Sequence, residues 1–282
     1  MPRPDARSPS DGGVRAPLRV TSSANPNVAL LKSLHAKKGR AETGWFLAEG
    51  ARLALEAADQ DAWPVLVAIA ESALDRAHIK TFADDAAAHG ARVLITTEKV
   101  LGQVARRDNP QTVIAAYRQR WAGLEALAAG AFAVALYEPR DPGNLGTILR
   151  ACDAAGASGV ALIGQACDPF SVECVRATMG SIFTTPVART TFEELDAWRR
   201  ARGFTMLAAS LRATQRHDQA PLGERTLILM GNEQAGLPEE VEEACDALVR
   251  IPMRGRADSL NLAMAATLMV YEVWRRRGYD GA

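Results

Sequence analysis

Short apolar runs alternate with amphipathic stretches along almost the whole chain. In its first part, Phe46-Leu47-Ala48, Val65 to Ala70, Arg92 to Ile95 and Val113 to Tyr117 read as strands. Between them Asn25 to Lys38, Ala51 to Ala58, Phe82 to Ala88 and Lys99 to Ala105 read as helices. Asn25 suits a helix cap, with Pro26 at the first helical position. This pattern predicts a small α/β layer structure. The Ala- and Gly-rich stretch Trp121 to Ala131 follows the last of these strands and reads as a linker.

The second part alternates again. Strands are expected at Phe132 to Tyr137, Gly159 to Ile163, Phe204 to Ala208, Thr226 to Met230 and Ala247 to Ile251. Helices are expected at Leu145 to Ala155, Val172 to Met179, Phe192 to Arg202, Pro238 to Ala244 and Leu260 to Arg277. Apolar strands spaced by helices imply a mostly parallel sheet covered on both faces. The final helix is apolar on more than one face, from Leu260 through Leu268 to Trp274. Such a helix needs burial on several sides, within its own domain or against a second subunit.

Composition narrows the class. The chain has 282 residues, 48% hydrophobic and 23% charged, which suits one or two globular domains. No apolar stretch is long enough to span a membrane, so no membrane partner is expected. Residues 1–18 are rich in Arg, Pro, Gly, Asp and Ser and read as a disordered tail without a secretory core. Cys152, Cys167, Cys174 and Cys245 form no CxxC pair and no metal-ligand spacing, which points to reduced thiols in the cytoplasm and to no metal. The net charge is zero, yet Arg3 to Arg40 holds eight Lys or Arg against two acidic residues. A basic front could therefore meet phosphates while the whole chain stays neutral.

Ligands of open α/β sheets sit beyond the carboxyl ends of the strands. No strand is followed by GxGxxG, and no GxxxxGK[ST] occurs, so dinucleotide and P-loop sites lose support. Three strand-end loops carry chemistry instead. Glu138 to Gly146 leads toward Arg150 and places Asn144 and Gly146 at a helix start, where free N–H groups favour anions. Gly231 to Leu237 has two glycines around Glu233, and glycine lets the backbone approach a flat ligand closely. Ile251-Pro252-Met253 precedes Ser259-Leu260-Asn261, where Ser259 suits the cap of the last helix. Taken singly, each reads equally well as a turn. Asn261 alone resists that account, because it interrupts an apolar helix.

Together the three loops resemble the motifs of the SpoU (TrmH-like) branch of the SPOUT methyltransferases. The first motif appears as Asn144, Gly146 and Arg150. The second appears as Gly231, Glu233, Gly236 and Leu237, and the third as Ile251 to Met253 with Ser259 to Asn261, closed by Tyr271-Glu272. Ala263 departs from the family, which often carries Ser there. Arg176 to Phe183, with Met179-Gly180-Ser181, is similar to the family's second-helix turn. Ser23, Asn25-Pro26, Leu34, Lys37-Lys38, Arg40 and Phe46 to Gly50 resemble the ribosomal-protein-like substrate-binding domain often fused in front of these enzymes.

The resemblance implies a fold, a reaction and a set of site residues. The fold is an RNA substrate-binding domain over 19–121, then a trefoil-knotted catalytic domain over 122–282 that dimerises through its C-terminal region. The reaction is S-adenosylmethionine-dependent methylation of a ribose 2′-hydroxyl, with ribosomal RNA favoured as substrate and transfer RNA as the alternative. An inactive RNA-binding protein on the same scaffold stays open, but the intact motif residues count against it. Arg150, Asn144, Glu233, Ser259 and Asn261 would be catalytic, Arg150 as a clamp on the neighbouring phosphate. Leu207, Ala208, Ala209, Ser210, Gly231, Asn232, Glu233, Gly236, Ile251, Met253, Ser259 and Leu260 would hold the cofactor. Lys37, Lys38, Arg40 and Arg150 would contact RNA.

Overall fold

The computed structural model describes residues 16–281. The expected tail falls on 1–18, of which 1–15 lie outside the described residues. The chain divides into two compact units that meet at Arg118 and Gln119.

The first unit carries a five-stranded sheet. Its strands are β1 (Leu18–Val20), β2 (Trp45–Glu49), β3 (Leu66–Ala70), β4 (Arg92–Thr96) and β5 (Val113–Arg118), in the order β1-β4-β3-β5-β2. β1, β4 and β3 run parallel, while β5 is antiparallel to both β3 and β2. Five helices accompany it: α1 (Pro26–Ser33), α2 (Lys37–Thr43), α3 (Ala51–Asp59), α4 (Ala77–Ala88) and α5 (Glu98–Ala105).

Three expectations change here. β1 begins inside the expected tail, because a three-residue strand is too short to show alternation. α4 starts five residues before its expected Phe82. The single helix expected over Asn25 to Lys38 is two helices, since α1 ends at Ser33 and α2 begins at Lys37. Arg40 explains the break. Its buried guanidinium donates to the carbonyls of Leu34 at 2.8 Å and His35 at 3.0 Å, just past the end of α1. A cation there satisfies carbonyls that no helical N–H reaches. Arg40 is therefore withdrawn from the expected phosphate-contacting set, whereas Lys37 and Lys38 stand exposed.

The second unit is a six-stranded, wholly parallel sheet. Its strands are β6 (Phe132–Tyr137), β7 (Val160–Ile163), β8 (Val187–Thr190), β9 (Phe204–Ala209), β10 (Arg225–Met230) and β11 (Ala247–Val249), in the order β11-β9-β10-β6-β7-β8. The helices are α6 (Pro142–Ala154), α7 (Val172–Thr178), α8 (Phe192–Ala201), α9 (Glu239–Glu243) and α10 (Leu262–Arg276). Strand residues alternate between two cores. Phe132, Val134 and Leu136 face a core with α6 and α10, while Ala133 and Ala135 face one with Leu195 and Trp198 of α8. A parallel sheet buried on both faces must be apolar at every position, which is why its strands were legible.

β8 had not been expected, and the linker expectation fails. Ala122 bridges Ala188, and Leu124–Ala129 forms a 3-10 helix whose Leu127 is fully buried under the sheet. The small residues of Trp121 to Ala131 allow close packing on the sheet.

The chain goes from β6 to β7 and β8 on one side, then returns through β9, β10 and β11 on the other. The loops after β6, β9, β10 and β11 thus converge at one end of the sheet, the usual place for a ligand. On α10, Leu262, Ala263, Ala266, Met269, Val270 and Val273 are buried. Met264, Leu268 and Tyr271 point outward, 63%, 44% and 39% exposed. None of the helices among the described residues is long and apolar enough to cross a membrane.

Candidate active site

The loops at this end enclose a cavity of about 910 Å³. Its walls come from residues 209–212 after β9, 230–237 after β10, 249–253 after β11 and 258–262 at the start of α10. Arg140, Asp141 and Asn144 close it from the β6 side.

A directed chain of hydrogen bonds joins three of these loops. The Glu233 carboxylate accepts from the backbone N–H of Arg140 at 3.1 Å and of Asp141 at 3.2 Å. It also accepts from Asn144 Nδ2 at 3.3 Å. Asn144 Oδ1 accepts in turn from Asn261 Nδ2 at 2.9 Å. Asn261 Oδ1 then accepts from the N–H groups of Ala263 and Met264 at the start of α10. A carboxylate only accepts and a helix N-terminus only donates, so both amides between them have one permitted orientation. Asn261, not Ser259, is the cap of α10. Capping and loop linkage together account for a polar residue in that apolar segment.

Partial burial pushes the Glu233 carboxyl up, but the N–H groups of Glu233, Arg140 and Asp141 and the Asn144 amide outweigh it. The net effect holds Glu233 below its ordinary value, so it is a stable anion and a weak base.

Local backbone chemistry places each member. Asp141 caps α6 by accepting from Asn144 N–H at 2.6 Å, which fixes Asn144 in the first turn. After β10, Asn232 and Gly236 exchange backbone hydrogen bonds of 3.0 Å, closing a tight loop. Asn232 Nδ2 ties that loop to the Glu138 carbonyl at 2.7 Å. A Cβ on Gly231 would stand 2.5 Å from the Gly236 carbonyl carbon, so only glycine fits. Gly146 has a different role from the expected anion contact. It is buried where α6 meets α7, and a Cβ there would overlap the Cys174 carbonyl and the Ala177 methyl.

The family model described as "SpoU rRNA Methylase family" matches residues 131–271, half of the chain. The chain belongs to the SpoU rRNA methylase family. A second model, an MRM3-like substrate binding domain, matches residues 25–115. A 23S rRNA (guanosine(2553)-2′-O)-methyltransferase of Bacillus subtilis is 29% identical over 90% of this chain and 98% of its own length. An AdoMet-bound rRNA methyltransferase from Sinorhizobium meliloti superposes with a TM-score of 0.85 at 43% identity, covering 92% of this chain and 97% of that one. The SpoU methyltransferase AviRb of Streptomyces viridochromogenes, in complex with AdoMet, gives a TM-score of 0.79 at 27% identity, covering 92% of this chain and all of that one.

In this SpoU chain, Ala209, Ser210, Gly231, Asn232, Glu233, Gly236, Ile251, Met253, Ser259 and Leu260 line the cavity, with Asn144 and Asn261. Leu207 and Ala208 do not. They sit inside β9 with their side chains in the two cores. Arg150 does not line it either, being six residues beyond Asn144, about 9 Å along the helix. It is exposed and has no hydrogen bond or ion pair among the described residues.

The sequence reading missed Arg140, Asp141, Arg212 and Glu242 as lining residues. Arg140 and Asp141 lay within the first motif loop, and their adjacency to Asn144 was the available signal. Arg212 pairs with the nearly buried Glu242 at 2.7 Å across the cavity wall, and no sequence spacing announces that pair.

Glu233→Gln should lower the melting temperature at pH 7, because an amide cannot accept at both oxygens. A lowered folded-state pKa gives stability that is present above the ordinary value of 4.5 and lost as the pH falls through the folded value. Melting curves from pH 7 down to pH 3 should show the gap to wild type closing only below about 4.5. A gap independent of pH would contradict this.

Proposed function

We propose that the chain transfers a methyl group from S-adenosylmethionine to a ribose 2′-hydroxyl of ribosomal RNA. The observation that carries this reading is the Glu233–Asn144–Asn261 chain at the edge of a cavity large enough for a nucleoside cofactor. A relative named for 2′-O-methylation matches 90% of the chain, and solved structures of the same fold are named for bound AdoMet.

The lining fits that cofactor chemically. Met230, Ile251, Leu262 and Ala265 supply apolar surface for a flat base. Glu233 and Glu239 supply negative charge suited to a cationic sulfur and an ammonium group, whereas Glu242 is paired with Arg212. When bound, S-adenosylmethionine supplies an electrophilic methyl group. The backbone around Ser210, Gly231, Ile251 and Leu260 would hold its adenosine part.

The protein's own residues have distinct parts. Asn144 and Asn261 keep the loops in register, and Ser259 offers a hydroxyl at the cavity wall. The Arg150 guanidinium clamps a neighbouring phosphate and polarises the 2′-oxygen. Its unpaired state suits that task. The 2′-hydroxyl also distinguishes RNA from DNA. In the first unit, exposed Lys37 and Lys38 are read as phosphate contacts.

The C-terminal region is read as a trefoil knot. β11 is an edge strand, yet α10 returns to pack on β10 and α6. Arg276 and Arg277 then pin α10 to the carbonyls of Ala220 and Gly223, between β9 and β10. Knots are nearly absent from proteins, so the reading rests on this path and on the family. The outward stripe Met264, Leu268 and Tyr271 on α10 suits a homodimer interface. Four free thiols suit a reducing compartment, read as the cytoplasm.

Purified protein should bind S-adenosylhomocysteine in calorimetry, and NAD or ATP far more weakly. Mapping 2′-O-methyl groups in ribosomal RNA with and without the gene should show one site that depends on it. No binding at millimolar adenosylhomocysteine would overturn the proposal.

Arg150→Lys should reduce single-turnover methylation strongly and Arg150→Ala further, with adenosylhomocysteine affinity and melting temperature near wild type. Normal turnover in folded Arg150→Ala would remove Arg150 from the reaction.

Light scattering should give a dimer mass at micromolar concentration. Leu268→Glu should shift it toward the monomer, because an exposed position tolerates charge unless a partner covers it. A monomer mass for the wild type would exclude the dimer.

A further inference from the structure

Cations are distributed unevenly in the second unit. From Gln119 onward the chain contains no lysine, so every side chain that stays cationic there is a guanidinium. Several are already committed to carboxylates. Arg199 holds Asp196 and Asp246, Arg200 holds Asp196, Arg202 holds Glu125, and Arg275 holds Glu272. The loop from β11 to α10 differs. Its Arg254 and Arg256 are exposed, and neither has a hydrogen bond or ion pair among the described residues. Asp258, close enough in sequence to neutralise Arg256, accepts instead from Ser259 Oγ at 3.1 Å.

This loop borders the cavity. Met253 on one side of the arginines and Asp258 on the other both line it. Charge is therefore sorted by position. In the cavity lining Asp141, Glu233, Glu239, Glu242 and Asp258 outnumber Arg140, Arg212 and Arg250, while the Arg254-Gly255-Arg256 segment lies along the rim. A lining with more carboxylates than guanidiniums suits a cationic small molecule better than a phosphate. The rim suits a polyanion that must lie across the mouth. A guanidinium fork grips phosphate oxygens in pairs, and Gly255 between the two arginines leaves the segment free to follow a backbone.

We propose that Arg254 and Arg256 form an RNA-backbone grip on the catalytic unit itself, holding the phosphates beside the nucleotide that enters the cavity. This rests on the reading of the cavity as an RNA methyltransferase pocket. It adds a second RNA contact to the second unit, beside the Arg150 clamp and the basic front of the first.

The test uses full-length protein and unmethylated, transcribed 23S rRNA, with affinity measured from low to moderate salt. Two phosphate contacts contribute a slope of roughly 1.4 to 1.8 in log affinity against log salt. Replacing both residues, Arg254→Ala with Arg256→Ala, should reduce the slope by about that amount and raise the KM for RNA. Arg254→Lys with Arg256→Lys should restore most of the slope, because charge is retained. Adenosylhomocysteine affinity should stay within about twofold of wild type, a change of roughly 0.4 kcal/mol. An unchanged slope in the alanine pair would overturn the grip. So would a loss of adenosylhomocysteine affinity parallel to the loss of RNA, which would make the loop part of the cofactor pocket. If wild type shows the arginine-dependent slope yet binds no adenosylhomocysteine, the grip stands and the methyltransferase reading falls.

Discussion

The hydrogen-bond chain from Glu233 through Asn144 and Asn261 to the first turn of α10 is the constraint on which the site depends. Its strength lies in its polarity. One end is an anion that accepts only, and the other is a pair of helix N–H groups that donate only. Each amide between them passes the pattern on in one orientation. A residue of similar size but different donor pattern at either position would leave a polar atom facing its like. An unmade hydrogen bond costs more than a made one contributes. Three loops distant in sequence are thereby held as one object, which is why the motifs are informative only together.

That chain needs the loops to start from fixed positions, and the parallel sheet supplies them. β6 and β10 are neighbours with Leu136 opposite Met230, so the loops that follow leave the sheet side by side. Glycine completes the approach. Gly231 lets the loop after β10 fold onto its own Gly236, and Gly146 lets α6 sit directly on α7. Gly146 lies away from the cavity, whereas Gly231 also lines it. Their contribution is to the placement of Glu233 and Asn144.

How legible this was in the sequence depended on the kind of force involved. The central strands β6, β9 and β10 were plain because burial on both faces leaves no polar position to confuse the pattern. β8 (Val-Ala-Arg-Thr) and β1 (Leu-Arg-Val) were not, since an arginine interrupts each short apolar run. The break between α1 and α2 was hidden because its cause, the Arg40 guanidinium on two carbonyls, is a tertiary interaction written in a residue that also looks like a phosphate contact. The site was legible as three motifs but not as a network. Asn261 looked anomalous for an apolar helix, and the anomaly resolved into a cap and a link. Leu207 and Ala208 were named for their backbone, but the cavity begins one residue later, at Ala209, where β9 ends.

The same network limits the chemistry. Glu233 is occupied by N–H donors and held as a weak base. Arginine stays protonated, and no histidine lines the cavity. The residues at the wall therefore offer orientation and charge rather than a strong proton acceptor. Transfer from a sulfonium suits such a site. The oxygen–carbon bond would form as the carbon–sulfur bond breaks, leaving a neutral thioether, and the hydroxyl proton would pass to a neighbouring phosphate oxygen or to water. What the protein must do beforehand is align oxygen, carbon and sulfur, and alignment of this kind can supply about 7–11 kcal/mol of a barrier. A rigid, polarity-fixed frame around the cavity is the structural form that such alignment requires.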